Sequence, residues 1–328
     1  MNGETNGALI ISLDFELYWG LRDVLPLGVY RENLLGARRA VPALLALFQA
    51  YGIHATWATV GFLFCSGREE LLANLPRERP QYRDARLSPY ADLETIGRSE
   101  AEDPFHFAPS LIRRIAAAPN QEIGTHTLSH YYCLEPEQNI AAFRADLAAA
   151  RTLAAGFGIP LRSLVFPRNQ YSSEYVAAAG EMGIAAYRGH EPSWGCGGES
   201  VPRRLARYCD SFINFSGDGC FGPTSGDVPR NLPASRFLRP WSRSSGLEGL
   251  RLRRVLRSLE HAARNRLQCH LWWHPHNFGV NLERNLGALE RILDFHSRMR
   301  EQYGMSSLNM AEAAPCAATK LRESVVSA

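Results

Sequence analysis

Four short stretches of this chain hold side chains whose types and spacing suit catalysis. The first is Asp14-Phe15-Glu16, at the end of an apolar run. Side chains alternate along a strand, so Asp14 and Glu16 point one way and Phe15 the other. Two carboxylates converging at a strand end are costly unless a cation or an arginine neutralises them. The second is His126-Thr-Leu-Ser-His130, two imidazoles at i, i+4, which share a face if the segment turns helical and suit a single metal ion. With an acid from elsewhere they would make a His₂-carboxylate site with open positions for water and substrate. The third is Phe166-Pro-Arg-Asn-Gln-Tyr171, where Pro167 would end a strand at the sheet's rim and Arg168 would pair with Asp14 and keep it ionised. The fourth is Cys269-His-Leu-Trp-Trp-His-Pro-His276. Period two sets His270, Trp272 and His274 on one face, with His274 at the strand's end, placed to exchange protons.

Each stretch also has an ordinary reading: a solvated acidic turn, a chance pair of histidines, a proline turn with a surface arginine, an aromatic strand with structural histidines. Their shared position decides between the readings, and that position depends on the elements around them. Ala8–Leu13 is a continuous apolar run, the pattern of a strand buried on both faces. Over 36–51, Val41, Leu44, Leu45 and Phe48 recur at helical spacing, and Gly52 stops the helix. Strands are expected at 53–60, 122–125, 163–166, 184–187 and 269–273, and helices at 140–153, 174–182, 247–266 and 282–303. Strand–helix alternation implies a parallel sheet covered by helices, an open doubly wound sheet or a closed barrel. In either, residues at the carboxyl ends of the strands converge on one face, and all four stretches fall there. Two polar, proline-rich stretches, 76–109 and 189–245, read as insertions over one face of a single domain spanning 1–328.

Of the 328 residues, 45% are apolar, enough for one large core or two modest ones. The net charge of +3 is too small to argue for nucleic acid or a membrane surface, and no apolar run reaches membrane-spanning length. Lys320 is the only lysine, so the basic residues are almost all arginine. Seven cysteines at irregular spacing, with no CxxC pair, suit a reduced cytoplasmic protein. Only seven residues precede the run at Ala8, none of them Lys or Arg, which leaves no room for a signal peptide.

Together, the D-F-E, HxxxH, P-R-N-Q and strand-end H-P motifs resemble the NodB-type polysaccharide deacetylases, carbohydrate esterase family 4-like, over roughly Ala8 to Met310. The resemblance implies an irregular (β/α)₇ barrel and removal of acetyl groups from amino sugars with zinc or another divalent ion. It makes Asp14 the general base, His126 and His130 metal ligands, Arg168 the arginine that orients the base, and His274 the general acid. The family's adjacent Asp-Asp is here Asp-x-Glu, which makes Glu16 the carboxylate ligand. The third motif lacks the usual Arg-x-Pro-Tyr order. The expected partner is an N-acylated sugar or oligosaccharide. Asn169 and Gln170 would bond its hydroxyls, Tyr171, Trp272 and Trp273 are candidates to stack on it, and a backbone N–H near Gln170–Tyr171 would meet the oxyanion. Three rivals differ in class: a metal-free C–N amide hydrolase on the same barrel, a non-catalytic glycan-binding relative, and a zinc deaminase or amidohydrolase barrel. The last wants HxH after its first strand, where this chain has Asp-Phe-Glu.

Overall fold

A computed structural model describes residues 6–91, 93–190, 217–222, 228–242 and 245–314. Strand β1 (Ala8–Phe15) is buried along its whole length, and its alternation organises the domain. Leu9, Ile11, Leu13 and Phe15 pack outward into the large core shared with the helices, while Ile10, Ser12 and Asp14 face inward. On one side β1 runs parallel to β2 (Ala55–Thr59). On the other it runs parallel to β8 (Gln268–Trp273) along six residue pairs. Beyond β2 come β3 (Gln121–Thr125), β4 (Ser163–Leu164), β5 (Ala186–Tyr187) and β6 (Arg230–Asn231). Beyond β8 comes β7 (Arg236–Phe237), and every pairing is parallel.

The segment through β6 and β7 joins the two edges. Leu232 and Ala234 donate backbone N–H groups to Tyr187 and Gly189 on the β5 side, and Ser235 and Leu238 donate to His270 and Trp272 on β8. The result is the irregular barrel of the glycoside hydrolase and deacetylase type, with β6 and β7 as two halves of one wall. Expected as part of an insertion, 230–238 is therefore barrel wall; much of the rest of 189–245 lies outside the described residues. The other expected insertion, 76–109, is mostly turns, with a single 3₁₀ turn at Ala85–Leu87.

Eight helices are described: α1 (Leu27–Tyr51), α2 (Arg68–Ala73), α3 (Pro109–Ala117), α4 (Ile140–Ala155), α5 (Ser173–Glu181), α6 (Ser245–Asn265), α7 (Leu282–Tyr303) and α8 (Met310–Ala313). Helix α1 begins nine residues before the expected start, because Gly36 is not a boundary. It is where the helix meets the turn after His274: a Cβ on Gly36 would collide with the Gly279 backbone. Close approach, and not helix termination, explains that glycine. At the other end Gly52 adopts the left-handed cap expected of it. A late strand, β9 (Ser306–Leu308), pairs with the first half of β1, and α8 plugs the barrel floor, setting Met310 and Ala313 against Ile10, Ala58 and Val165. Beside these apolar contacts Glu122 ties the floor together, accepting from the Thr56 and Ser163 hydroxyls and the Ala311 N–H, while the four candidate stretches lie at the opposite mouth, where the strands end.

Candidate metal centre and active site

Glu16 follows β1 directly and keeps its inward direction. A Cβ at Gly20 would collide with the Glu16 carboxyl group, so the glycine leaves room for that rotamer. His126 follows β3, and its backbone N–H is held by Thr59 O. The segment from His126 to His130 is not helical, contrary to the condition set on the i, i+4 spacing. It is an irregular turn with positive φ at Thr127 and His130 (64° and 59°). Asp146 on α4 fixes the turn, accepting the Leu128 N–H at 2.6 Å and the Ser129 hydroxyl, and Gly61 and Phe62 bond the Thr127 and Leu128 carbonyls.

That turn brings the two imidazoles to a centroid separation of 4.9 Å, both beside Glu16. The His126 and His130 Nε2 atoms lie 3.3 and 3.1 Å from Glu16 Oε2. The opposite ring nitrogens set the tautomers. His126 Nδ1 faces the Val165 carbonyl at 2.7 Å, which only accepts, so this nitrogen carries the proton. His130 Nδ1 meets the Tyr132 hydroxyl at 3.1 Å, and that hydroxyl donates its single hydrogen to Asp23 at 3.2 and 3.3 Å. His130 Nδ1 is therefore a donor too. Both Nε2 lone pairs then point at a carboxylate, an arrangement that a shared cation satisfies and that neutral imidazoles alone do not. Glu16, His126 and His130 are all buried, and their ligand atoms lie within 4.8 Å of one another. The donor set fits a divalent ion.

Beside this cluster, Asp14 is locked by Arg188. The guanidinium donates to both Asp14 oxygens at 2.7 Å and to Ser12 Oγ at 3.0 Å, lies 4.1 Å from the Trp272 ring centroid, and is 1% exposed. Burial pushes the Asp14 carboxyl up, but the Arg188 guanidinium brings it below its ordinary value. Glu16 behaves alike: burial raises it, and the neighbouring His274 pulls it well down. Burial lowers His130, which Glu16 only partly offsets, and holds His270 and His276 near 3, so all three stay neutral at pH 7. His274 is the accessible member. Its side chain is 22% exposed, its Nε2 lies 3.4 Å from Glu16 Oε1 and 3.8 Å from Asp14 Oδ2, and its ring stacks on His276.

Asp14, Glu16, His126, His130 and His274 are thus brought to one mouth of the barrel. The expected Arg168–Asp14 pair is not formed. Arg168 adopts a positive φ of 52°, forms its ion pair with Asp23, and lies over the Tyr132 ring at 4.2 Å. It ends a chain of contacts running through Asp23 and Tyr132 to His130. The arginine on Asp14 is Arg188, which the sequence reading passed over; its signal was its place directly after the expected strand at 184–187. Among the expected substrate contacts, Asn169 accepts from Arg188 at 3.4 Å and so borders the site. Both ends of the Gln170 amide bind the loop at Leu134 and Glu135, and its backbone N–H donates to Pro167. Tyr171 stacks on His190 and accepts its N–H. Trp272 is half-buried at the mouth, whereas Trp273 is fully buried against Phe48 and Phe278.

Residues 35–187 match the family model for polysaccharide deacetylases. That segment, just under half of the chain, resembles the polysaccharide deacetylase family and carries His126 and His130 of the cluster. No curated protein matches the sequence. Among solved structures, it is similar to a Mycobacterium smegmatis protein assigned as a polysaccharide deacetylase, at 14% identity and a TM-score of 0.60, over 99% of this chain and 94% of that one. A 4-alpha-glucanotransferase from Thermococcus litoralis is similar at 12% identity and a TM-score of 0.53, over 94% of this chain and 40% of the other. The PuuE allantoinase aligns at 12% identity and a TM-score of 0.55, over 96% and 91% of the two chains. At these identities the likeness is one of fold.

Proposed function

We propose that this protein is a divalent-metal-dependent hydrolase that removes the N-acetyl, or another N-acyl, group from an amino sugar or glycan precursor. The observation that carries the reading is the convergence of two Nε2 lone pairs on the Glu16 carboxylate, with Asp14 and His274 beside it. Glu16, His126 and His130 would hold the ion. When bound there, it would supply Lewis acidity, bringing the pKa of water down towards about 7. Asp14, kept anionic by Arg188, accepts the proton that water gives up as its oxygen adds to the amide carbonyl carbon. His274 donates a proton to the nitrogen as the C–N bond breaks, so the amine leaves neutral and the acyl group departs as its acid. Asn169 and Trp272 border the space left for the sugar. A cytosolic location is part of the proposal, supported by thiols left free at Cys65, Cys133, Cys220 and Cys269.

The metal-free alternative on the same barrel would leave the two lone pairs facing a buried carboxylate. Elemental analysis of the purified protein, with amine release from N-acetylated sugars measured with and without chelator, tests between them. The expected result is one divalent ion per chain and activity that chelation abolishes and the metal restores. His126→Ala should lose both together. Turnover that persists at full rate in chelator overturns the metal-dependent reading.

A further inference from the structure

On the outer side of the barrel wall two cysteines meet that the hydrolysis does not use. Cys269 is the second residue of β8 and packs outward into the large core, opposite the face that carries His270, Trp272 and His274. Cys220 lies in the segment 217–222, which meets β8 in an antiparallel bridge between Phe221 and Gln268. The Phe221 N–H donates to Gln268 O at 3.0 Å, and the Gln268 N–H returns the bond to Phe221 O at 2.7 Å. Where one antiparallel pair exchanges both bonds, the next pair faces across the closely spaced position, and here that pair is Cys220 with Cys269. Cα atoms so placed lie about 4.5 Å apart, inside the roughly 4.4–6.8 Å that a disulfide spans. The two thiols are hydrogen-bonding neighbours.

The segment is fixed against the wall on several sides. Gly219 has a φ of 66°, and a Cβ there would come within 2.9 Å of the Ser235 carbonyl oxygen. Arg236 and Arg254 donate to the Gly217 carbonyl, and Arg254 pairs with Asp218 at 2.8 Å. Cys220 Sγ also lies 3.3 Å from Ser258 O on α6. Cys220 is half-buried and Cys269 fully buried, so one sulfur is within reach of a small solute and the other stands beside it. The hydrogen bond from Cys220 holds the Cys269 thiol below its ordinary value, against the effect of burial, which favours its attack on a sulfur electrophile. Burial pushes Cys65 and Cys133 the other way.

We propose that Cys220 and Cys269 are a redox pair, closed by peroxide into a reversible disulfide that ties the segment 217–222 to β8. The Cys220 sulfur attacks one peroxide oxygen, the O–O bond breaks, and the departing oxygen takes the thiol proton and leaves as water. The Cys269 sulfur then displaces the hydroxyl from the resulting sulfenic acid, and its own proton goes with that hydroxyl as a second water. Two thiols are oxidised and one peroxide is reduced. In a reducing compartment the pair rests as thiols, and thiol–disulfide exchange returns it there. The bond closes a loop of roughly fifty residues, which restricts the unfolded chain. The pair lies on the outer side of β8, so this inference does not depend on the deacylation reading.

The test uses the full chain, reduced, freed of reductant and kept in chelator so that no bound metal diverts the oxidant. It is treated with hydrogen peroxide, quenched with iodoacetamide, digested without reduction and read by mass spectrometry. Peptides joined through Cys220 and Cys269 within one chain are expected, and dithiothreitol should return both as free thiols. The link should persist in Cys133→Ser and vanish in Cys220→Ser, a substitution at a half-buried site that leaves β8 intact. Oxidised wild type should unfold about 3–8 °C above the reduced protein, with no such rise in Cys220→Ser. Peroxide that leaves both sulfurs open to alkylation, or that carries Cys220 to its sulfinic acid without a link, overturns the proposal. So does pairing of either sulfur with Cys196, Cys209 or Cys316, a link between two chains, or a link that leaves the unfolding midpoint unchanged.

Discussion

Arg188→Met is the perturbation that most directly tests how Asp14, the proposed catalytic base, is held. Methionine retains much of the side-chain volume but removes the charge that faces both Asp14 oxygens at 2.7 Å. Asp14 is 3% exposed, so the lost partner is not replaced by bulk water. Breaking a buried pair from one side costs about 3–5 kcal/mol, because the remaining charge is left uncompensated. Loss of the contact with the Trp272 face adds up to about 2 kcal/mol. Removing both partners should be much milder, so Asp14→Asn/Arg188→Met is expected to be more stable than Arg188→Met alone. Urea unfolding of the wild type, both single variants and the double variant, with chelator throughout, yields the coupling energy. A value of about 2 kcal/mol or more is expected for Asp14 with Arg188. The same cycle with Arg168→Met should be additive within about 0.5 kcal/mol, since Arg168 pairs with Asp23 instead. Additivity in the Arg188 cycle, or strong coupling in the Arg168 cycle, would refute the assignment.

Tyr132→Phe removes the hydroxyl that takes the His130 Nδ1 proton and should weaken divalent-ion affinity about 10–100-fold by competition against a chelating dye; unchanged affinity would deny that hydroxyl its orienting role. His274→Ala should keep its metal by elemental analysis yet lose about 10²–10⁴-fold in kcat, and wild-type turnover would exclude it as the acid. Asp14→Asn should likewise keep metal and lose most turnover, whereas loss of metal would exchange the roles of Asp14 and Glu16. Asp146 is pushed up to about 6 by burial, so the folded protein binds its proton more tightly than the unfolded chain. Its contribution is fully favourable below about pH 4 and is lost as pH rises to about 6, an effect of about 3 kcal/mol. The stability difference between wild type and Asp146→Asn should show that slope, and a flat difference from pH 4 to 7 would contradict the burial argument.

Much of the fold was legible because its signals are local. The β1 run, the α7 bounds and the Gly52 cap all follow from patterning within one element. The elements that escaped are those whose identity lies in their partners. Strand β9 and helix α8 are short and gain their order from β1 and the barrel floor. The β6–β7 wall is two residues at a time, with Pro233 between the halves and bonds to different neighbours. Helix α3, whose buried face is Leu111, Ile112 and Ile115, begins at the proline that closed the supposed insertion, a residue that suits a first helical turn as well as a loop.

The arginine shows where local reading of a site stops. Arg168 and Arg188 both follow short strands at the same barrel rim, so strand-end position cannot separate them. Parity can. Val165 on the β4 side and Ala186 on β5 both face the interior, while Phe166 and Tyr187 pack outside. Counting by twos from Ala186 carries Arg188 inward to Asp14; counting from Val165 sends Arg168 to the outer parity, and its positive φ turns it further towards Asp23. The same inward parity holds for Ser12 and Asp14 on β1 and for His270, Trp272 and His274 on β8. What the sequence lacks is the choice of which alternate residues face in when a strand has only two paired residues and is apolar on both sides. A small residue such as Ala186, two places before a charged one, is the local trace of that choice, since the crowded barrel interior leaves little room for a larger side chain below the guanidinium.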